Sequence, residues 1–337
     1  MQNKRIEWLA LLRGLNILLV VMFHVQLIDL STGQNHLWCE VASAPFSYFR
    51  MPLFIFVSGG LLYLSRIRKE WPIKKLYVDK VKRIVLPFLF FVTFYYVFKL
   101  LLNSFVKTKV EASVSDFLLS FVIFSNHPSA HLWFLATLIQ LMFLYPLFVW
   151  LCGRWWSMAL FGAFSIVFYF VDLSWMMSEN YFHLLSLGNY LVFFFFGIFF
   201  FRYKGWQFTN SWLSVFILIA IYVLTVWLHI PLISSLVGIL MMVSISQRLA
   251  CVVPGLFSSF REYIFPIYLM SFIFQPFVEL ILWKKIFYNE QLFPFFYVLN
   301  ILLGIYGSVL VCKIIERIPF NYVKYCFGLS SSLKSKS

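Results

Sequence analysis

Apolar segments run through this chain almost end to end, and that pattern decides what it can fold into. Crossing a bilayer takes about 20 mostly apolar residues. Candidate spans lie at Leu9–Ile28, Phe46–Leu64, Ile84–Leu102, Leu132–Leu151, Trp156–Val171, Asn189–Phe201, Ser211–Leu228, Leu232–Gln247, Tyr263–Trp283 and Phe293–Cys312. The reading is an all-α, polytopic integral membrane protein of about ten transmembrane helices, several of them short.

Composition closes off the soluble alternative. Charged residues make up 12% of the chain and hydrophobic ones 62%, whereas a soluble domain carries about 25% charged residues. The 43 phenylalanines supply bulk suited to lipid contact and to packing between spans. The length of 337 residues would allow about two soluble domains, but the apolar segments leave no room for one. A single membrane domain is expected over residues 1–337, ending in a short basic tail from about residue 313 to 337.

Net charge is +14, yet nothing here predicts a nucleic-acid partner. The basic residues fall in short stretches between apolar segments, with no basic patch interleaved with aromatics, as the positive-inside rule requires. Placing the N-terminus in the cytoplasm puts Arg66–Arg83 and the tail there too. It leaves only Arg50, Lys99, Lys107, Lys109, Lys284 and Lys285, out of 27 Lys and Arg, in outer segments. Both termini are therefore expected to be cytoplasmic. The outer loops Asp29–Pro45, Asn103–His131, Asp172–Gly188 and Lys284–Leu292 are too short for a catalytic domain. Lys4 and Arg5 before an apolar run resemble a signal peptide, with Ala42-Ser43-Ala44 as a mimic of the cleavage site. That site lies too far past a run already as long as a span, so cleavage is not expected. No internal repeat of the transporter kind is visible. Five scattered cysteines without a CxxC pair imply neither a disulfide framework nor a metal site.

Ionisable groups inside spans are costly, which makes them functional candidates. In the first span, Arg13 and His24 would stand about 20° apart around one helix and about 16 Å apart along it. A cationic anchor for a phosphorylated carrier, with a base at the end of its arm, needs such an arrangement. Neutral imidazole can take a proton from an attacking hydroxyl. Against this stand interfacial snorkelling for Arg13 and a hydrogen bond to a neighbouring helix for His24.

Further along, Arg50 opens the segment Phe49-Arg50-Met51-Pro52-Leu53-Phe54-Ile55-Phe56, which continues to Ser58-Gly59-Gly60. Arg50 could orient an acidic or hydroxylated acceptor or simply snorkel. Proline needs neighbours that satisfy the carbonyl it frees, and small residues permit close helix contact. Lys80, Lys82 and Arg83 could clamp phosphates through charge-assisted hydrogen bonds, although topology alone also explains them. His127 and His131-Leu132-Trp133-Phe134-Leu135 begin the fourth span, making His131 and Trp133 candidates for substrate contact. No carboxylate or cysteine stands at a ligand spacing beside these histidines, so no metal is expected. Asp172, Glu179 and His183 read as solvated loop residues. No P-loop, dinucleotide fingerprint or HExxH motif occurs.

Taken in order, these elements resemble the integral membrane acyltransferase-3 family. The resemblance rests on Arg13-x10-His24, Phe49–Gly59, Lys80-x-x-Arg83 before Ile84-Val85-Leu86-Pro87, and His131-Leu132-Trp133-Phe134-Leu135. Weaker similarity continues at Ile267-Tyr268-Leu269-Met270 and Ile315-Glu316-Arg317-Ile318-Pro319. It implies about ten membrane helices in a bacterial inner or plasma membrane. It also implies transfer of an acyl group, usually acetyl from acetyl-CoA, to a hydroxyl of a cell-envelope or lipid-linked carbohydrate. By position His24 would be the catalytic histidine, Arg13 its partner, and Lys80 and Arg83 the pair associated with the donor. Two departures stand out. Lys80 replaces an arginine and loses its bidentate geometry, and Tyr268-Leu269-Met270-Ser271 ends in serine where the family often has histidine. A transporter or flippase for a saccharide or lipid-linked sugar is the rival reading, because buried cations can also line a pathway.

Overall fold

The computed structural model describes residues 2–30, 32–101, 103, 110, 112–124, 127–176 and 179–329. Lys107, Lys109 and the end of the basic tail lie outside the described residues. Among the described residues regular structure is helical, apart from one isolated antiparallel bridge between Ile28 and Asn35. The helices are α1 (Gln2–Phe23), α2 (Leu37–Ile67), α3 (Ile73–Leu101), α4 (Val114–Leu119), α5 (Ala130–Phe143) and α6 (Tyr145–Leu151). There follow α7 (Trp155–Tyr169), α8 (Tyr181–Arg202), α9 (Trp212–Trp227), α10 (Pro231–Val252), α11 (Ile264–Ile286), α12 (Glu290–Glu316) and α13 (Asn321–Cys326).

Six of these, α2, α3, α8, α10, α11 and α12, are long and apolar enough to cross a membrane. A seventh crossing results if α5 and α6, bent by 51° where they meet, form one broken span. Pro146 opens α6; a proline has no N–H to donate back into α5, which accounts for the break. Of the segments read as short spans, Asn189–Phe201 and Leu232–Gln247 lie within the longer α8 and α10, while Trp156–Val171 and Ser211–Leu228 correspond to short helices. With 15 residues in α7 and 16 in α9, each rises only about 23 Å, less than the ~30 Å of a hydrocarbon core.

The chain divides into two compact units, Met1–Val57 with Tyr203–Ile318, and Ser58–Arg202 with Pro319–Ser337. In the first, α1 packs against α10, α11 and α12, while α9 packs on α10 and α11 on α12. In the second, α5 and α7 pack against α8, and α13 lies against α3. The small residues of α2 matter in this second unit. Gly59 lies directly on the Phe194 carbonyl of α8 and Gly60 on the Phe201 ring, leaving no space for a Cβ at either position.

Pro52 makes the expected demand on its neighbours. Its missing N–H leaves the Tyr48 carbonyl without a helical donor, and the Ser235 hydroxyl of α10 donates to it at 2.6 Å. One turn on, the buried Asn16 amide of α1 takes up two more groups of α2. Its nitrogen donates to the Arg50 carbonyl at 3.0 Å and its oxygen accepts from the Phe54 N–H at 3.1 Å. An unpaired peptide group in an apolar interior costs several kcal/mol, so these bonds let the Arg50 segment sit against α1.

Candidate active site

His24 sits where α1 stops. The helix was expected to run through Ile28, but it ends at Phe23. Its last turn tightens through bonds from His24 N–H to the Val21 carbonyl and from Val25 N–H to Met22, both 3.2 Å. The chain then doubles back: Asp29 N–H meets the Gln34 carbonyl at 2.9 Å, His36 N–H meets Leu27 at 2.8 Å, and the Asn35 side chain accepts from Leu27 N–H at 3.0 Å. The Trp283 indole pins this turn by donating to the Ile28 carbonyl at 2.8 Å. Val25 and Leu27 are buried with Cys39, Val278, Trp283, Phe293 and Phe296. His24 is thus placed in a turn held from both sides and not in mid-helix.

Its half-buried ring lies between aromatics. The Phe272 ring of α11 is 4.3 Å away and tilted by 57°, and Phe23 stands edge-on at 5.3 Å. The Arg50 guanidinium covers Phe23, 3.0 Å from the ring centroid. One phenylalanine therefore carries a cation and borders the imidazole, and two of the residues singled out in the sequence meet through it. Among the described residues the His24 side chain makes no hydrogen bond. Arg13 lies eleven residues back on α1, half-buried, and makes no hydrogen bond or ion pair among the described residues.

Neutral polar groups complete this region. Gln275 and Asn300 are buried, at 3% and 0% exposure. The Gln275 amide nitrogen donates to the Val21 carbonyl at 2.9 Å, the same oxygen that receives the His24 N–H. Asn300 of α12 donates to the Gln275 main-chain carbonyl at 3.2 Å. Ser271 is buried one helical turn before Gln275. Sequence reading missed both amides because it searched for charge. The signal that could have found them is an amide in mid-span, in one case directly before Pro276.

At the start of α1, Glu7 pairs with Arg261 at 2.5 Å and accepts the Gly255 N–H at 2.9 Å. The Arg261 bond first, and the Gly255 bond second, hold the Glu7 carboxyl below the usual carboxylate range.

The other singled-out residues belong to the second unit. Arg83 is not a free cation: it binds Asp79 at 2.8 Å, and Arg66 binds the same carboxylate at 3.0 Å. Arg66 also covers the Trp71 ring at 3.6 Å. Lys82 is exposed and makes no ion pair among the described residues, while Lys80 borders a small cavity of about 50 Å³ with Tyr77 and Phe143. Residues 81–85 are π-helical, a widening that often marks functional positions. His131 meets the Tyr95 ring edge-on at 4.3 Å. Trp133 stacks on His183 at 4.9 Å and lies 5.3 Å from Tyr190. His183, read as a solvated loop residue, is half-buried and bonded to the Ser186 hydroxyl at 2.6 Å. It and Phe182 hold positive φ angles of 57° and 50°, which L-residues rarely adopt.

Helical structure with six membrane-length apolar helices among the described residues, and a histidine flanked by aromatics just past the end of α1, defines a multi-pass membrane protein with a candidate catalytic base. More particularly, it belongs to the acyltransferase-3 family: the family model, an acyltransferase domain, matches residues 6–313. The chain is a membrane acyltransferase. Comparison with curated proteins and with solved structures gave no match.

Proposed function

We propose that the protein moves an acyl group, acetyl in the simplest case, from acyl-CoA to a hydroxyl of a cell-envelope or extracellular carbohydrate. The observation that carries this reading is the His24 ring, without a hydrogen-bond partner among the described residues and joined through Phe23 to the Arg50 guanidinium. An imidazole left open in this way can accept a proton from an acceptor hydroxyl. A nearby guanidinium favours negative charge developing on the attacked carbonyl oxygen.

In this mechanism the sugar oxygen attacks the thioester carbonyl as its proton passes to His24. The new C–O bond forms, the C–S bond breaks, and the imidazolium returns the proton to the departing CoA sulfur. Arg13 acts as the partner of His24, and Arg50 orients the acceptor. Lys80, Lys82 and Arg83 bind the donor's phosphates. Sharing of Arg83 with Asp79 weakens its part and leaves Lys82 as the more available charge. His131 and Trp133 are proposed to contact substrate. The proposal includes ten crossings of a bacterial plasma membrane with both ends cytoplasmic, in keeping with the distribution of Lys and Arg.

The test is mass spectrometry of envelope and secreted glycans from a deletion strain complemented with wild type or with stably expressed His24→Ala. An acyl ester that disappears, returns with wild type and stays absent with His24→Ala supports the reading and names the acceptor. Restoration by His24→Ala overturns the role of His24. Loss of the whole glycan, rather than of its ester, moves the function to transport.

A further inference from the structure

Within the first unit, a cavity of about 630 Å³ opens between the turn that follows His24 and the start of α12, a size typical of small-molecule sites. Its walls include His36, Trp38, Glu290, Gln291, Phe293 and Tyr297. His36 stacks on Phe293 with centroids 4.1 Å apart and planes 19° apart, giving a flat aromatic floor. Trp38 is 60% exposed, a large apolar ring turned outward. The carboxylate of Glu290 and the amide of Gln291 stand at the edge.

A polar stripe of α12 continues inward from Tyr297 at the cavity wall. Phe293, Tyr297, Asn300 and Gly304 follow one another at steps of four, three and four residues, which puts them on one stripe of α12. The Tyr297 hydroxyl, the Asn300 amide oxygen and the Gln275 amide oxygen are all buried and make no hydrogen bond among the described residues. Buried polar atoms ordinarily have partners. Gly304 completes the stripe: a Cβ there would stand 3.1 Å from Gln275 and 3.3 Å from Val21. Gln275 in turn bonds the Val21 carbonyl, which also receives the His24 N–H.

We infer that this cavity is the seat of the saccharide acceptor, and that Tyr297, Asn300 and Gln275 line its approach to His24. The inference rests on the acyl-transfer reading of His24. The chemistry of the walls selects the ligand class. Among the described residues no Lys or Arg lines the cavity, so they offer no cation to the phosphates of CoA. A sugar ring instead matches flat aromatic surfaces with its C–H face, and its hydroxyls are the donors that a carboxylate and two unpaired amide oxygens lack. An acyl chain would leave those oxygens unsatisfied.

The probe is a printed array of bacterial saccharides, presented to the purified full-length protein in detergent. Wild type and His24→Ala are expected to hold the same saccharides. Trp38→Ala and Tyr297→Phe should hold them at least about tenfold more weakly, the scale of one anchoring side chain, with unchanged melting temperatures. Glu290→Gln, at the exposed edge, serves as a further variant should Trp38→Ala melt lower, and the same weakening is expected. Absence of any bound saccharide with wild type, or wild-type binding by the pocket variants, overturns the inference. Array binding does not depend on turnover, so an active His24→Ala would sink the acyl-transfer reading without altering this result.

Discussion

Gln275 donates its amide hydrogen to the carbonyl of Val21, an oxygen that also accepts the His24 N–H. A side chain from α11 thereby fixes the last turn of α1 and the base that follows it. Gln275→Leu removes this bond and leaves the region held by its backbone bonds and, beyond His24, by Asn35 and the Trp283 indole. The expected result is a fall in kcat of about tenfold, equivalent to ~1.4 kcal/mol. The KM for acyl-CoA should stay near wild type in a membrane assay with labelled donor.

His24→Gln keeps a polar side chain but supplies no proton-accepting imidazole nitrogen. Acyl transfer should drop by about a hundredfold or more, the scale of general-base catalysis. Protein yield and melting temperature should remain near wild type. Residual activity within about threefold of wild type would assign the base elsewhere.

Asp79 neutralises Arg66 and Arg83 together, so two substitutions should act in opposite directions. Lys82→Ala should raise the KM for acyl-CoA, and the rise should shrink at high ionic strength as exposed charges are screened. Asp79→Asn should lower that KM by releasing two guanidinium groups, at some cost in thermal stability. If both variants shift KM the same way, the cluster does not bind the donor phosphates.

Gly304→Val places branched carbons into a 3.1 Å approach to Gln275 and a 3.3 Å approach to Val21. Overpacking of this kind costs about 1–3 kcal/mol. A lower melting temperature and reduced transfer should appear together. Gly304→Ala should show a smaller version of both.

The Glu7–Arg261 pair gives stability a pH dependence of known sign. A carboxyl held below its usual range in the fold stabilises fully above the unfolded value, about 4.3, and that contribution disappears as pH falls through the folded value. Glu7→Gln should therefore melt below wild type at pH 7, and the gap should close in acid below about pH 4. Because the pair is partly exposed, the difference should be about 1 kcal/mol or less. A gap that widens on acidification would contradict the sign.

Hydropathy located the helices well and their ends less well. Val25 and Leu27 carried the first apolar segment past Phe23, yet they are apolar because they pack with Cys39 and Trp283. Hydropathy does not distinguish burial in protein from contact with lipid. His24 and Arg50 could be singled out in the sequence because ionisable groups within a span are rare. Gln275, Asn300 and Tyr297 were not, since neutral groups raise no such signal and gain meaning only once α11 and α12 are side by side. Asp79 was overlooked among eight basic neighbours, although its spacing of four from Arg83 on a helix was readable.

The Asn16 clamp has a mechanical consequence. Asn16 stands on α1, which ends one residue before His24, and it holds the Arg50 carbonyl and the Phe54 N–H. Helices answer a thinner or thicker bilayer by tilting, and a tilt of α1 carries the Arg50 backbone along with His24. The guanidinium and the imidazole should thus keep their mutual distance in lipids of different chain length. Asn16→Leu would uncouple them and make turnover sensitive to bilayer thickness.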